Sequence, residues 1–298
     1  MTALLFETFV LFLRLQTKTP IIIMKQIVEY FATIPSTHRS AILIGGIAFF
    51  WMAEYAVPLF QFKYNKIKHG GINIFFTITS IVINFALAFI LLKSAEWTIN
   101  NHFGILQWLP EMPLWAYTIV GLLLLDLIGA WFVHWTEHRV IWMWKFHLIH
   151  HSDTNVDTTS ANRHHPGESI FRFIFTTAGI VIAGAPMWMV FMYQAISVML
   201  SQFNHANIVI PKWLDNAISW VIVSPDMHKV HHHYVLPYTD SNFGNIFSIW
   251  DRIFGTYMTL DRDKIIYGID THMKPEENSR LGSLLKIPFE AYRKPVGE

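Results

Sequence analysis

The chain has 298 residues, of which 53% are hydrophobic and only 14% are charged. Soluble domains average roughly 25% charged residues, so this composition, with a mean hydropathy of +0.34, indicates a membrane protein. The formal net charge of +1 gives no reason to expect a nucleic-acid partner. The absence of cysteine excludes disulfides, cysteine-ligated iron–sulfur clusters, thiolate-ligated haem and cysteine-based zinc sites.

The first 40 residues predict an N-terminal apolar or interfacial segment. Residues 1–23 are apolar but interrupted by Glu7, Arg14 and Lys18, and no basic stretch precedes the apolar run. We therefore do not expect a secretory signal peptide. Met24 is an alternative start to Met1.

Three stretches are long and apolar enough to predict transmembrane helices: residues 41–59, 72–92 and 114–133. Residues 173–200 are also apolar, but Gly184, Ala185 and Pro186 interrupt them. This stretch is shorter than the roughly 40 residues that two complete crossings need. We predict a re-entrant helical hairpin that turns at these three residues, enters the membrane and returns. One kinked span is the alternative.

The distribution of basic residues predicts which membrane face the connecting segments occupy. Lysines lie between the first two predicted spans, and Arg139 and Lys145 follow the third. The positive-inside rule therefore puts both segments in the cytoplasm. Arg39, on the other side of the first predicted span, is the observation against this orientation.

Histidine spacing is the strongest functional signal in the chain, which holds 16 histidines. Three clusters follow the patterns HxxxH, HxxHH and HxxHH, and these spacings put the rings on one face of a helix. Neutral imidazole is a common ligand for transition metals. The three clusters are His134 and His138; His147, His150 and His151; and His228, His231 and His232.

Three metal-dependent functions compete on this evidence. A two-metal, oxygen-activating site accounts for all the clusters, and iron suits it best because the metal must change valence. A zinc metallopeptidase is the second, since His134, Glu137 and His138 match the short HxxEH pattern. It leaves both HxxHH clusters unexplained. A non-enzymatic, histidine-rich metal transporter or sensor is the third.

The three clusters, in this order, resemble those of the integral-membrane fatty acid hydroxylase / sterol desaturase superfamily. HWTEH, HLIHH and HKVHH carry the resemblance, with TSANRHHPGE, FNHANI and WDRIFGTY as supporting stretches. It extends over about residues 54–257, and the spacing is most similar to that of the sterol desaturase and alkylglycerol monooxygenase branch. The chain departs from the usual pattern at His164, which doubles the single histidine that precedes a proline.

The sequence thus predicts an all-α membrane protein with about three transmembrane spans, the re-entrant hairpin and a cytoplasmic, histidine-bearing helical cap. The family resemblance adds the chemistry. It implies two iron ions, molecular oxygen as co-substrate, and hydroxylation or desaturation of a lipid such as a sterol, a fatty acyl chain or an ether lipid. A separate electron donor of the ferredoxin or cytochrome b5 type is expected. The implied metal ligands are His134, His138, His147, His150, His151, His228, His231 and His232, with His165 and His205 as further candidates.

Asp126 is the one charged residue inside the third predicted span. A carboxylate at membrane depth is costly and therefore expected to have a function and a partner. We predict that it accepts a hydrogen bond from a histidine ring of another segment, either His205 or the 228–232 cluster. A structural hydrogen bond to Ser, Thr or Trp is the alternative. For the whole chain we predict an N-terminal segment (1–40), a membrane di-iron oxidoreductase domain (41–262) and a polar C-terminal tail (263–298).

Overall fold

A computed structural model describes residues 22–296, which are mostly helical and contain no strand beyond isolated bridge pairs. Residues 1–21, on which the expectation of no secretory signal peptide rests, lie outside the described residues, and the choice between Met1 and Met24 stays a prediction. Residues 22–32 form a helix that we call α1. The all-α prediction is confirmed for the described part of the chain.

The longer helices are α2 (Ser36–Ala56), α3 (Lys66–Asn100), α5 (Leu114–Asp126), α6 (Val133–Arg139), α7 (Ile141–His151), α8 (Pro166–Ala183), α9 (Met187–His205), α10 (Lys212–Ile218) and α11 (Pro225–His231). The short ones are α4 (Ile105–Trp108), α12 (Ile249–Ile253), α13 (Pro275–Asn278) and α14 (Leu281–Lys286). A π-helical segment, Leu127–Phe132, joins α5 to α6 without a break. Single 3-10 turns are Thr158–Asn162, Tyr238–Asp240, Arg262–Lys264, Asp270–His272 and Ile287–Phe289.

Among the described residues, three helical stretches are long and apolar enough to cross a membrane: Lys66–Trp108, Leu114–Arg139 and Pro166–Ala183. The number agrees with the prediction, and two of the three contain predicted spans. The second predicted span (72–92) lies in a helix that is longer than expected. This helix, α3, begins at Lys66, inside the segment that we expected to be a loop. At about 1.5 Å of rise per residue, its 35 residues exceed the roughly 30 Å of a bilayer core.

The first predicted span differs from the expectation. Residues 41–59 fall largely within α2, but α2 is not among the three membrane-length stretches of the described chain. Its first turns carry Thr37, His38 and Arg39, and Glu54 near its end is buried in an ion pair with Lys66 of α3. These polar residues lower the hydropathy of α2. The third membrane-length stretch is α8 and not α2.

The turn at Gly184 is where the sequence predicted it. Gly184 ends α8 with a φ of 68°, and a Cβ there would lie 2.6 Å from the Phe103 carbonyl oxygen, so only glycine fits. The two arms are longer than the apolar run implied, with 18 residues in α8 and 19 in α9. They splay apart: α8 packs on α3, α9 packs on α2, and α5 lies against both. The entry of this pair into a membrane and its return stay a prediction.

The main apolar core lies where α5, α8 and α9 meet. Leu125, Ile180, Met189 and Val190 are buried in it together. Such packing fixes the ends of the helices that carry the histidines. It therefore positions the candidate site.

Residues 263–298, which we predicted to be a polar tail, also contribute buried apolar side chains. Ile269, Leu284 and Ile287 are buried beside Phe76 of α3 and Trp144 of α7. The Asn278 carbonyl also accepts a hydrogen bond from the buried Arg163 guanidinium. Apolar residues spaced among the charges explain the contact. The predicted domain boundaries at residues 40 and 262 stay a prediction.

Candidate metal centre

The histidines come together because the helices that carry them, α6, α7, α9 and α11, meet beside the apolar core. A break at Val140 folds α7 back on α6, so the two helices present their rings to each other. The third cluster lies on α11 and at its end, where His232 follows the last helical residue. Ser224 precedes this helix, and its hydroxyl accepts a hydrogen bond from the Met227 amide. The end of α9 adds His205.

One set of rings, which we call the five-ring group, comes from three helices. Each ring offers one nitrogen, and these nitrogens lie within 4.8 Å of one another. The Nε2 atom of His147 lies 3.0 Å from that of His134 and 3.2 Å from that of His151. The members are His134, His138, His147, His151 and His231.

Four rings of the five-ring group are hydrogen-bonded through Nδ1, the ring nitrogen that is not directed at the centre. The His134 and His231 rings donate to the Phe243 and Ser241 carbonyl oxygens, at 2.8 and 2.6 Å. The Nδ1 atom of His138 lies 3.1 Å from Asp240 Oδ1. The Nδ1 atom of His147 lies 2.7 Å from Glu168 Oε1. Because an acceptor occupies each Nδ1–H, the Nε2 lone pair is left facing the centre, and such partners orient metal-binding histidines.

The second set, the four-ring group, consists of His150, His205, His228 and His232. His205 is central to it: its Nε2 lies 3.2 Å from that of His150, 3.0 Å from that of His228 and 3.2 Å from that of His232. The His205 Nδ1 is bound to the Ser201 carbonyl and the Asn204 side chain. The Nδ1 atoms of the other three rings are buried and have no partner among the described residues.

The nitrogen positions fit metal ions better than they fit hydrogen bonds among the rings. A single proton can join two nitrogens, but His205 Nε2 has three nitrogen neighbours at hydrogen-bond distance. Imidazole nitrogens bound at about 2.0–2.1 Å to one ion lie about 3 Å apart. In the five-ring group, the Nε2 atoms of His138 and His231 are buried without a partner in the described chain, and a bound cation would satisfy both.

The rings outside the membrane-length helices are held in the neutral form that a metal requires. Burial is the main cause that lowers the pKa of His150, His151, His228, His231 and His232 well below the usual range. Neighbouring rings lower these pKa values further, since two positive charges at this separation repel each other.

Two residues that the sequence prediction missed hold the outer side of this centre. Glu168 Oε1 lies 2.7 Å from both His147 Nδ1 and His164 Nδ1, and Arg172 Nε donates to it at 3.0 Å. Arg172 Nη2 also donates to Glu137 at 2.6 Å. His164 in turn stacks on His150, with ring centroids 4.8 Å apart. Glu168 therefore links the two groups. Its sequence signal was its position in the HHPGE stretch.

Asp126 does not have the partner that we predicted. Its carboxylate accepts hydrogen bonds from the Ile246 and Phe247 amides and from the Trp250 indole, and no histidine in the described part of the chain bonds to it. The alternative, a structural bond that includes a tryptophan, agrees with the structure. The physical reason is that the loop after Phe243 lies between Asp126 and the rings, so Asp126 acts on the loop whose carbonyl holds His134.

Of the other histidines considered, His205 belongs to the centre, whereas His165 and His233 do not. His205, the less certain candidate, is a full member of the four-ring group. His165 belongs to neither group in the described chain: it precedes α8, accepts a hydrogen bond from the Gly167 amide and packs on Phe146 and Phe289. His233 also lies outside both groups, where its Nδ1 accepts from the Ile266 amide.

A cavity of about 160 Å³ borders both groups, and α9 forms part of its wall. His134 of the five-ring group and His150, His205 and His228 of the four-ring group line it. The π-helical segment contributes Gly129 and Ala130 to its lining. π-helical turns within helices are frequent at functional sites. The cavity therefore borders both groups.

The fold and the site together define a helical protein with membrane-length helices and two candidate metal sites built of imidazoles. Residues 118–256 match the family model for fatty acid hydroxylase, and this match contains all the clustered histidines. Over these residues the chain is similar to the fatty acid hydroxylase family, in agreement with the resemblance found in the sequence.

Three relatives illustrate the range of proteins that the chain is similar to. Ornithine lipid hydroxylase OlsE of Rhizobium tropici is 23% identical over 65% of this chain and 57% of its own length. Alkylglycerol monooxygenase of Xenopus tropicalis is 29% identical over 53% of this chain and 33% of its own length. Methylsterol monooxygenase 2-2 of Arabidopsis thaliana is 26% identical over 49% of this chain and 55% of its own length.

The matched part of the chain thus spans between one third and three fifths of the length of these relatives. Their names are those of hydroxylases and monooxygenases, and two of the three name a lipid or a sterol in their substrate. No solved structure matches the chain.

Proposed function

We propose that this chain is a membrane-bound, di-iron, oxygen-dependent oxidoreductase that hydroxylates or desaturates a lipid, with residues 41–262 as its catalytic domain. The observation that carries the proposal is the convergence of nine imidazole rings into two adjacent groups, each with nitrogens facing one centre. The names of the relatives support oxygen insertion into lipids as the reaction class.

The five-ring and four-ring groups would each hold one iron ion. Bound iron would supply oxygen activation and a change of valence, which protein side chains cannot provide. The ligands would be the eight histidines of the three sequence clusters together with His205. His165 is not included, since its ring is engaged by Gly167 and two phenylalanines.

The overall reaction fixes what else the protein needs. Hydroxylation consumes one dioxygen, two electrons and two protons, breaks a C–H bond, and yields an alcohol and one water. Desaturation consumes the same reagents, breaks two C–H bonds on adjacent carbons, and yields an alkene and two waters. Both require a reductant, which we propose is a separate one-electron carrier of the ferredoxin or cytochrome b5 type.

The chain's own residues orient the histidine rings and exclude bulk water from them. Asp240, Glu168 and the Phe243 and Ser241 carbonyls hold rings of the five-ring group in the tautomer that leaves Nε2 free. The clustered rings other than His138 are at most 6% exposed, which keeps bulk water out. The cavity would admit the substrate to the side that both groups share.

We also propose that the site faces the cytoplasm, with the three membrane-length stretches anchoring it. Tags inserted after Arg139 and after His233 should then have the same protease accessibility in sealed membranes, as should a tag near Lys63. Accessibility of the Arg139 and His233 tags from opposite faces would contradict a shared site. Accessibility of all three only from outside would contradict the orientation alone.

The function is tested by supplying membranes that contain the full chain with isotopically labelled dioxygen and a reducing system. We expect a lipid that either carries one labelled oxygen atom or has lost two hydrogens, and neither product from a variant with His205→Ala. Lipid profiles that are identical with and without the wild-type chain would overturn the proposal.

The zinc peptidase alternative finds no support in the site. Glu137, which would be its general base, is buried and bound to Arg172 at 2.6 Å, so it is not directed at a water molecule among the rings. Nine rings also exceed what a zinc peptidase site uses. The transporter alternative has no relative among those named above.

A further inference from the structure

The cavity beside the two ring groups is lined by polar residues as well as small ones. One face of α9 presents Tyr193, Ser197 and Ser201 to it at intervals of four residues, followed by His205. Residues spaced by four share a helix face. This polar face leads along the helix to the four-ring group over about 18 Å.

A hydrogen bond ties this face to the loop that supports His134. The Asn245 side-chain amide donates to Ser197 Oγ at 2.7 Å, and Tyr193 lies one helical turn before Ser197 on the same face of α9. Asn245 follows Phe243 and Gly244, which also line the cavity. The polar groups of α9 and of the loop therefore form one connected surface beside the rings.

An apolar hydrocarbon would be a poor occupant for such a surface. Placing a methylene chain against hydroxyl and amide groups removes their water without replacing the hydrogen bonds, which costs free energy. A substrate that carries its own hydroxyl, ether, ester or amide oxygen near the reacting carbon would restore them. The small residues Gly129, Ala130 and Ala161 leave room for such a group.

Resting on the proposed function, we infer that the substrate is oxidised at a carbon close to a hydrogen-bonding oxygen, at the head-group end of the lipid. Tyr193, Ser197 and Asn245 recognise that oxygen. Oxidation in the middle of an unsubstituted hydrocarbon chain is the outcome that this surface disfavours.

The test combines product analysis with three variants of the full chain in membranes. Mass spectrometry of the product locates the oxidised carbon in the wild type. Ser197→Ala and Tyr193→Phe remove hydroxyls without adding volume, and we expect each to lower the product formed per oxygen consumed several-fold and to raise KM. Ser94→Ala is the matched control, because Ser94 is on α3 beside a separate apolar groove, and it should leave both values unchanged.

Gly129→Ala tests the room in the cavity. The added methyl would lie 3.6 Å from the Tyr193 hydroxyl oxygen, an ordinary contact distance, so we expect the fold to accept it while turnover of the native lipid falls. Metal content should stay at the wild-type value in all four variants, which separates a recognition defect from loss of the site.

A product oxidised many bonds from any oxygen would overturn the inference and leave the proposed function standing. So would Ser197→Ala and Tyr193→Phe variants with wild-type coupling and KM. The absence of any oxidised lipid from the wild type would overturn the proposed function and this inference with it.

Discussion

The two ring groups are built from the same residue type but are supported differently. In the five-ring group, four Nδ1 atoms have a carbonyl or carboxylate partner. In the four-ring group only His205 has such partners, and the Nδ1 atoms of His150, His228 and His232 are buried without one in the described chain. Outer partners fix tautomer and ring orientation, so the five-ring group is preorganised and the four-ring group depends more on the ion itself.

This difference predicts unequal metal affinity. We expect a chelator to remove the ion of the four-ring group first, and that of the five-ring group more slowly. Single substitutions in and around the two groups should separate them further.

Loss of a ring from the less supported group should have the largest effect. His228→Ala removes one of four nitrogens, and we expect it to abolish turnover and to empty this group, a loss beyond the roughly 10–100-fold typical of outer partners. Metal analysis and lipid turnover on the same sample measure it. His38→Ala is the matched control, since the His38 side chain is exposed and, among the described residues, hydrogen-bonds only to Tyr30. Wild-type turnover by His228→Ala would remove this group from the site.

Glu168→Gln should produce the next largest effect. The amide keeps the shape but weakens the acceptor for His147 and His164 and leaves Arg172 with a single carboxylate partner. We expect metal affinity of the five-ring group to fall about 10–100-fold, with the four-ring group less affected. Metal titration followed by a spectroscopic signal for each site measures the two separately. An equal loss in both groups would mean that Glu168 acts through the fold.

Glu137→Gln should have a smaller effect than Glu168→Gln. Glu137 Oε2 lies 3.7 Å from His147 Nδ1 and bonds to Arg172, so it supports the ring only through this neighbour. We expect turnover to fall about 10-fold, at the low end of the range for outer partners. Complete loss of turnover with full metal content would instead indicate a general base and revive the peptidase hypothesis.

Asp126→Asn should give the smallest effect on metal binding. Its carboxylate holds the loop that presents the Phe243 carbonyl to His134. We expect a loss of thermal stability, because a buried acceptor of three hydrogen bonds is changed, and less than about a 10-fold loss of affinity in the five-ring group. Thermal unfolding and metal titration of the membrane-inserted protein measure both. Unchanged stability would mean that the amide replaces the carboxylate fully.

Local patterns in the sequence predicted what a single helix determines. The spacing in HxxxH and HxxHH predicts rings on one helix face, and all eight of these rings lie in the two groups. The turn at Gly184 followed from residues that break a helix. The sorting of His147 and His150, which are three residues apart, into different groups required the structure, because it depends on where α6, α9 and α11 approach α7.

Outer partners were the least predictable part of the site. Glu168 reaches His147 across 21 residues, and Asp240 reaches His138 across 102. No local periodicity reports such contacts, so Asp126 was paired with a ring when its partners are backbone amides and Trp250. Similarly, His165 precedes the proline that begins α8, and its use as a helix cap was not evident from the family pattern.

The central claim is that the two groups hold one metal ion each, and counting ions per chain tests it most directly. Full-length protein prepared with iron available should contain about two iron ions per chain in the wild type. It should contain about one in His205→Ala, with the remaining ion in the five-ring group. A wild-type content near one, or a His205→Ala variant that still contains two, would contradict the account.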